Sequence, residues 1–324
     1  MAAPGKTFLA SKVQFRREIG PRFAISLPLF GRKQRMNTRT RAIPFLFVTP
    51  SLLVLLAFGI YPLIYTIRLS FQTWLLFRPN IPPSPAGVAN FGRLLADSQF
   101  GKSILTTLVF MGITLSAEFV LGFGVALLLN VIVKWRKVFR TVAMVPMTLS
   151  AIVAAVIWRL LYNPDFGLLN YFFQLLFGKR FFVNWLGDPH VALISICITD
   201  IWQWTPFVIV IVLAGLQSLP VEPYESAVVD GASGLQRLVY LTIPMMRTTI
   251  LITLLLRGMD LINEFDKIFG MTFGGPGYKT QVVGLYLYRV GFRFYDMGYL
   301  AALCLMVLIF VMVITQILIR LIRR

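Results

Sequence analysis

Apolar residues along this chain gather into long runs, and the polar residues fall between them. Crossing about 30 Å of hydrocarbon takes roughly 20 apolar residues in a helix, so these runs predict membrane-spanning helices. Six are read, over 42–71, 103–133, 141–162, 190–217, 248–269 and 297–319. A shorter run over 23–30, cut by Pro28, predicts an interfacial helix or one lying against the bundle. The expected fold class is all-α and polytopic. A basic segment over 1–41 precedes a transmembrane domain over 42–320, and a short tail covers 321–324.

The clearest break in the apolar pattern lies over 219–246. Pro220 and Pro223 suit the first turn of a helix, and Gly231 is the residue best able to take the left-handed conformation just past its end. Ser233 and Gln236 have capping-box spacing, so a second helix is expected to start at once and run until Pro244. On the first helix Tyr224, Ala227 and Val228 fall at i, i+3 and i+4, an apolar stripe beside Glu225. By shape this unit fits equally a helix lying on the bilayer surface and a docking element for another protein.

The residues Glu225, Ser226, Ala227, then Asp230, Gly231, Ala232, then Ile243 and Pro244 resemble the EAA loop of ABC importer permeases. In that family the loop fits a groove of the ATP-hydrolysing subunit. Ser226 replaces the first alanine and keeps the position small. Asn90-Phe91, Phe139-Arg140 with Pro146, the run 213–220, Phe265-Asp266, and Thr272 with Gly274-Gly275-Pro276 and Thr280 extend the likeness over most of the chain beyond its first forty residues. They are similar to the subgroup that imports oligosaccharides and related solutes, such as maltose, glycerol phosphate and alginate fragments.

The resemblance implies a type I permease without catalytic residues. Tyr224, Glu225, Ser226, Ala227, Asp230, Gly231 and Ala232 would couple it to an ATPase dimer that binds ATP and magnesium. It also implies a second homologous permease, an extracytoplasmic solute-binding protein and residence in a bacterial inner membrane.

Composition agrees with a membrane protein: 57% of residues are hydrophobic and 14% charged, which excludes an ordinary soluble enzyme. A net charge of +18 raises nucleic acid as a partner, but ten lysines and arginines stand just ahead of the first span. There each is worth about 1 kcal/mol against an anionic leaflet, so lipid is the expected partner. With both termini cytoplasmic, 19 of the 31 basic residues fall on that side and 8 outside, which satisfies the positive-inside rule and places the 219–246 loop in the cytoplasm. The long basic stretch ahead of a full-length span is unlike a cleavable signal.

Candidate chemistry is sparse. His190 is the sole histidine, Cys197 and Cys304 lack CxxC spacing, and the glycines before Lys279-Thr280 do not have phosphate-loop spacing. Neither a metal site nor a resident cofactor is expected. Ionisable residues inside spans usually face a bundle interior or a water-filled cavity. The candidates here are Glu118, Arg159, Asp200, Arg257, Asp260, Glu264, Asp266 and Lys267.

Arg257, Asp260 and Glu264 are spaced to share one helical face, either as an internal ion-pair ladder or as the lining of a polar path. With Gln203, Trp204 and Asn263 they form the candidate substrate path, while Trp202, Trp204 and Phe207 fit packing or sugar stacking. Arg159 and Arg257 hint at an acidic saccharide. An ion-coupled secondary transporter is the alternative, although the docking loop and the lack of an inverted repeat argue against it.

Overall fold

The computed structural model describes residues 38–78, 80–131, 136–178 and 180–323. The basic segment up to residue 37, with the 23–30 run, lies outside the described residues. The chain divides into two compact units, Met1–Ile60 and Tyr61–Arg324. In the first, α1 (Thr38–Leu55) ends in a π turn over Leu56–Ile60.

The second unit begins with α2 (Tyr61–Ser70). A two-stranded ribbon of β1 (Gln72–Thr73) and β2 (Ser84–Pro85), antiparallel, leads to α3 (Ala89–Ala96) and the long α4 (Ser98–Val131). Then come α5 (Arg136–Met144), a 3-10 turn over Pro146–Thr148, α6 (Ala151–Leu161), α7 (Leu168–Phe177) and α8 (Ala192–Gln217). Beyond them lie α9 (Glu222–Val229), α10 (Gly234–Arg237), a π turn over Leu238–Thr242 and α11 (Ile243–Met245). The chain closes with α12 (Arg247–Ile262), α13 (Asp266–Met271), α14 (Val283–Phe292) and α15 (Met297–Arg323).

Among the described residues four helical stretches are long and apolar enough to cross a membrane: Phe47–Ser70, Ser98–Val131, Ala192–Gln217 and Met297–Ile317. The pair Gly234–Met245 and Arg247–Ile262, bent by 66°, makes a fifth if it is counted as one span. The expected third span over 141–162 is corrected. Pro146 lacks an amide and its ring opposes the carbonyl four residues back, so helix gives way to a 3-10 turn and an extended Ser150. What remains is α6, whose 11 residues rise about 16 Å, half of what a bilayer needs. It packs instead on α13, so closely that a Cβ on Gly270 would lie 2.8 Å from Ile152 Cδ1.

The fifth span also stops short of residue 269, because the helix ends at Ile262 and Asn263 caps it. Both π turns contain the residue four positions before a proline, Phe58 before Pro62 and Tyr240 before Pro244. Widening the turn there accommodates the missing hydrogen bond and the ring.

The buried face of α4 explains how an almost uniformly apolar helix selects its inward side. Ser103, Thr107, Phe110, Thr114, Glu118, Gly122 and Ala126 recur every three or four residues and are buried, while Leu105, Val120 and Leu128 face out. Polar and small groups turn inward because hydrocarbon offers them no partners, and large apolar ones lose nothing by facing lipid. α4 crosses α8 at Gly122, where a Cβ would come within 2.7 Å of Val208 Cβ. Replacing Gly122 by leucine is therefore expected to force the helices apart and lower stability by about 1–3 kcal/mol, read as a fall in the unfolding temperature of the purified protein.

Among the described residues the core has three clusters. One joins Phe110, Ala155, Ile196, Leu261 and Ile268 from α4, α6, α8, α12 and α13. Another joins Ala126, Val208, Val212 and Met246, and a third Leu94, Phe100, Tyr286, Tyr299 and Leu303.

Asp97 organises this third cluster. It ends α3 and accepts hydrogen bonds from the Gln99 and Phe100 amides at 2.9 and 3.1 Å, capping α4, while the hydroxyls of Tyr286 and Tyr299 donate to its other oxygen, the latter at 2.6 Å. Partial burial works against its charge, but these two hydroxyls and two amides more than offset it and hold the carboxyl below its ordinary value. The stabilisation is thus present above the unfolded carboxylate value near 4 and lost as pH falls through the lower folded value. Thermal unfolding of the wild type is expected to weaken with acidification in that window more than that of Asp97→Asn. Parallel curves for the two proteins would remove Asp97 as the source.

A candidate coupling segment and a buried charge ladder

The segment after α8 is built by its own local signals. Val221 precedes α9, Pro223 sits in its first turn, and Glu222 and Glu225 place negative charge at its positive end. At the other end the Ala232 amide donates to the Ala227 carbonyl at 2.9 Å and the Gly231 amide to Val228 at 3.1 Å. That is a Schellman closure, with Gly231 at φ +76° in the left-handed position glycine favours. Ser233 then caps α10 with the full reciprocal box: its amide donates to Gln236 Oε1 at 2.7 Å, and its hydroxyl accepts from the Gln236 amide at 3.3 Å.

The second helical stretch does not stop at Pro244. The π turn carries it through to Met245, and it meets α12 at 66° across Met246, a buried residue packed with the lower part of α8.

Tyr224 and Ala227 turn partly inward, and the Tyr224 hydroxyl lies 2.9 Å from Thr242 Oγ1, tying α9 to the second helix. Val228, expected on the same stripe, is instead exposed, as are Glu225, Ser226, Val229, Leu235 and Tyr240. With only eight residues, α9 has room for one narrow contact, and its remaining apolar side chains point outward. Between the two helices lies a cleft of 380 Å³ lined by Ala227, Asp230, Gly231, Ala232, Arg237 and Tyr240. Small residues, outward valines and a cleft make a surface another protein can approach closely.

At mid-chain the structure assembles a ladder of five ionisable groups. Arg257 on α12 donates to Glu118 on α4 through Nε at 2.8 Å and Nη2 at 2.9 Å, and also pairs with Asp200 on α8. Lys267 on α13 bridges Asp200 at 2.5 Å and Glu264 at 3.0 Å. Glu118, Asp200, Arg257 and Lys267 are buried to within 1% of complete. The ladder therefore clamps α4, α8, α12 and α13 together by charges that have no alternative partner in hydrocarbon.

The candidate path residues separate. Arg257 and Glu264 belong to the ladder, but their partners come from other helices and from Lys267. Glu264 lies beyond the end of α12, so a shared helical face with Arg257 and Asp260 is not what the fold makes. Asp260 and Asn263 are exposed, and Asn263 donates to the Met259 carbonyl at 3.0 Å. Gln203 is buried and donates to the Leu149 carbonyl at 2.8 Å. Trp204 lies 5.0 Å beneath the Arg257 guanidinium and packs edge-on with Phe207, whereas Trp202 packs on Trp158. Arg159 is exposed and reaches the Gly270 carbonyl at 3.3 Å, and His190 is exposed just ahead of α8.

The pairing of Glu118 with Arg257 spans 139 residues. Residue spacing along one helix carries no sign of it, and only the intramembrane positions of the charges hinted at such partners.

Residues 118–324 match the family described as the inner membrane component of binding-protein-dependent transport systems. The trehalose/maltose transport system permease protein MalF of Thermococcus litoralis is 35% identical over 82% of this chain and 87% of its own length. The sulfoquinovosyl glycerol transport system permease protein SmoG of Agrobacterium fabrum is 28% identical over 92% and 95%. Among solved structures, a chain of a bacterial ABC transporter that imports the acidic polysaccharide alginate superposes with a TM-score of 0.76 at 24% identity, covering 88% of this chain and 96% of that one. The fold is that of the ABC importer permeases, and this chain belongs to the family of membrane-spanning permease components of binding-protein-dependent ABC transport systems.

Proposed function

We propose that this chain, with a second homologous permease, encloses the path by which an oligosaccharide or related sugar crosses an inner membrane. An extracytoplasmic binding protein delivers the sugar, and a dimer of ATP-binding subunits carrying ATP and magnesium drives the cycle. Both termini and the coupling segment face the cytoplasm, in keeping with the basic residues there.

The observation that carries this reading is the coupling segment: two helices locked around Gly231, with small and apolar side chains left facing outward. Relatives named for trehalose, maltose and sulfoquinovosyl glycerol transport support a sugar as cargo. Closure of the ATPase dimer presses on α9. The Tyr224–Thr242 contact passes that displacement to the second helix, and Met246 passes it to α8 and α12. Because the charge ladder holds α4, α8, α12 and α13 as one block, the block turns as a rigid body between inward-open and outward-open states.

Gentle purification of the tagged chain from its own membranes tests the assembly. Recovery with a phosphate-loop ATPase and a homologous permease, and ATP hydrolysis by the complex, is the expected result. A solitary chain without ATPase activity would count against the importer.

A further inference from the structure

The segment that joins α12 to α15 lies at the opposite end of α12 from the coupling segment and carries features the coupling role does not use. Gln99, Phe273, Tyr278, Gln281, Arg289 and Arg293 line a pocket of 380 Å³, within the range of small-molecule sites. Arg289 is fixed: it donates to the Phe273 carbonyl at 2.5 Å and to the side chain of the buried Gln281, and its guanidinium lies 4.8 Å from the Tyr278 ring centre. Arg293 is exposed, 5.1 Å over the Phe273 ring. Among the described residues neither guanidinium has a carboxylate within 4.0 Å.

The backbone is strained where the aromatic walls stand. Phe273 has φ +52° and Tyr278 φ +67°, a region bulky residues rarely adopt and which persists only where the surroundings enforce it. Two positively charged planar groups held over aromatic faces, with amide side chains beside them, match a ring that is apolar on its faces, hydroxylated at its edge and negatively charged at one substituent.

We propose that this pocket is a contact site for an anionic saccharide as it enters the path. Its carboxylate or sulfonate pairs with Arg293 beside Arg289, and its ring lies against the exposed Tyr278. The proposal rests on the importer reading and names the charge class of its cargo.

The test uses the assembled transporter in lipid nanodiscs, without binding protein, titrated calorimetrically with trigalacturonate and separately with maltotriose, a neutral sugar of equal length. Trigalacturonate is expected to bind more tightly. Arg293→Gln should weaken it about tenfold or more, Arg293→Lys should restore much of the loss, and Tyr278→Leu should weaken both sugars. Equal binding of the two sugars, or an Arg293→Gln complex that binds trigalacturonate like the wild type, would overturn the proposal. A complex that hydrolyses ATP but ignores trigalacturonate refutes the pocket and leaves the importer reading standing; a chain that recruits no ATPase refutes both.

Discussion

Gly231→Pro is expected to abolish uptake while ATP hydrolysis by the assembled complex continues. Gly231 holds φ at +76°, and proline locks φ near −65°, so the chain cannot leave α9 in its present direction. Proline also lacks the amide that donates to the Val228 carbonyl at 3.1 Å, which removes half of the closure that ends α9. The segment would keep its composition but lose the angle between α9 and α10.

Alanine at the same position is the control. A Cβ there meets nothing within 4 Å, so the penalty is only the left-handed strain of about 1–2 kcal/mol, and transport should fall modestly. Reconstituted vesicles loaded with ATP give both rates. Normal uptake by an assembled Gly231→Pro complex would remove the segment from the coupling path.

The second large effect belongs to the charge ladder. Arg257→Met leaves the Glu118 carboxylate buried without its two hydrogen bonds and strips Asp200 of one of its two cations. Breaking a buried pair from one side typically costs about 3–5 kcal/mol, a large fraction of the stability of most domains. The variant should yield little folded protein.

The double substitution Arg257→Met with Glu118→Leu removes charge and counter-charge together, and replacing both partners by apolar groups is often close to neutral. Recovery of folded yield in the double variant is the diagnostic result. If the single variant is as stable as the wild type, or if the double one is no better than the single, the ladder does not hold the helices together. Transport by a recovered double variant would further show whether the ladder contributes rigidity alone or also shapes the path.

Much of the coupling segment was legible because its determinants are local. A glycine past a helix end, a serine three residues before a glutamine and a proline in a first turn act within a few residues; the structure realises the first two and places Pro223 in the first turn of α9, while Pro220 lies ahead of Val221 and outside the helix. The spans were legible where the apolar run was long, as in α4 and α15, which hold no proline, and in α8, whose helix continues through Pro206.

They were misjudged where one proline outweighed the hydropathy of its neighbours, as at Pro146, and where a polar cap cut a helix short, as at Asn263. At Pro244 the local rule held to within one residue: a π turn absorbs the hydrogen bond the proline cannot make, and the helix ends at Met245 before the 66° bend.

By itself, then, the sequence determined that this is a helical membrane protein, where its candidate coupling segment lies and how that segment turns, because hydropathy and capping are properties of neighbouring residues. The tertiary structure alone decided which intramembrane charges meet, that Gln203 is occupied by a backbone carbonyl, and that Arg289, Arg293 and the Phe273 and Tyr278 rings share one pocket. Those contacts join residues on different helices and loops. Which charge finds which partner there depends on helix rotation and close approach, as where Gly122 admits Val208, and neither is encoded in the spacing of residues along one element.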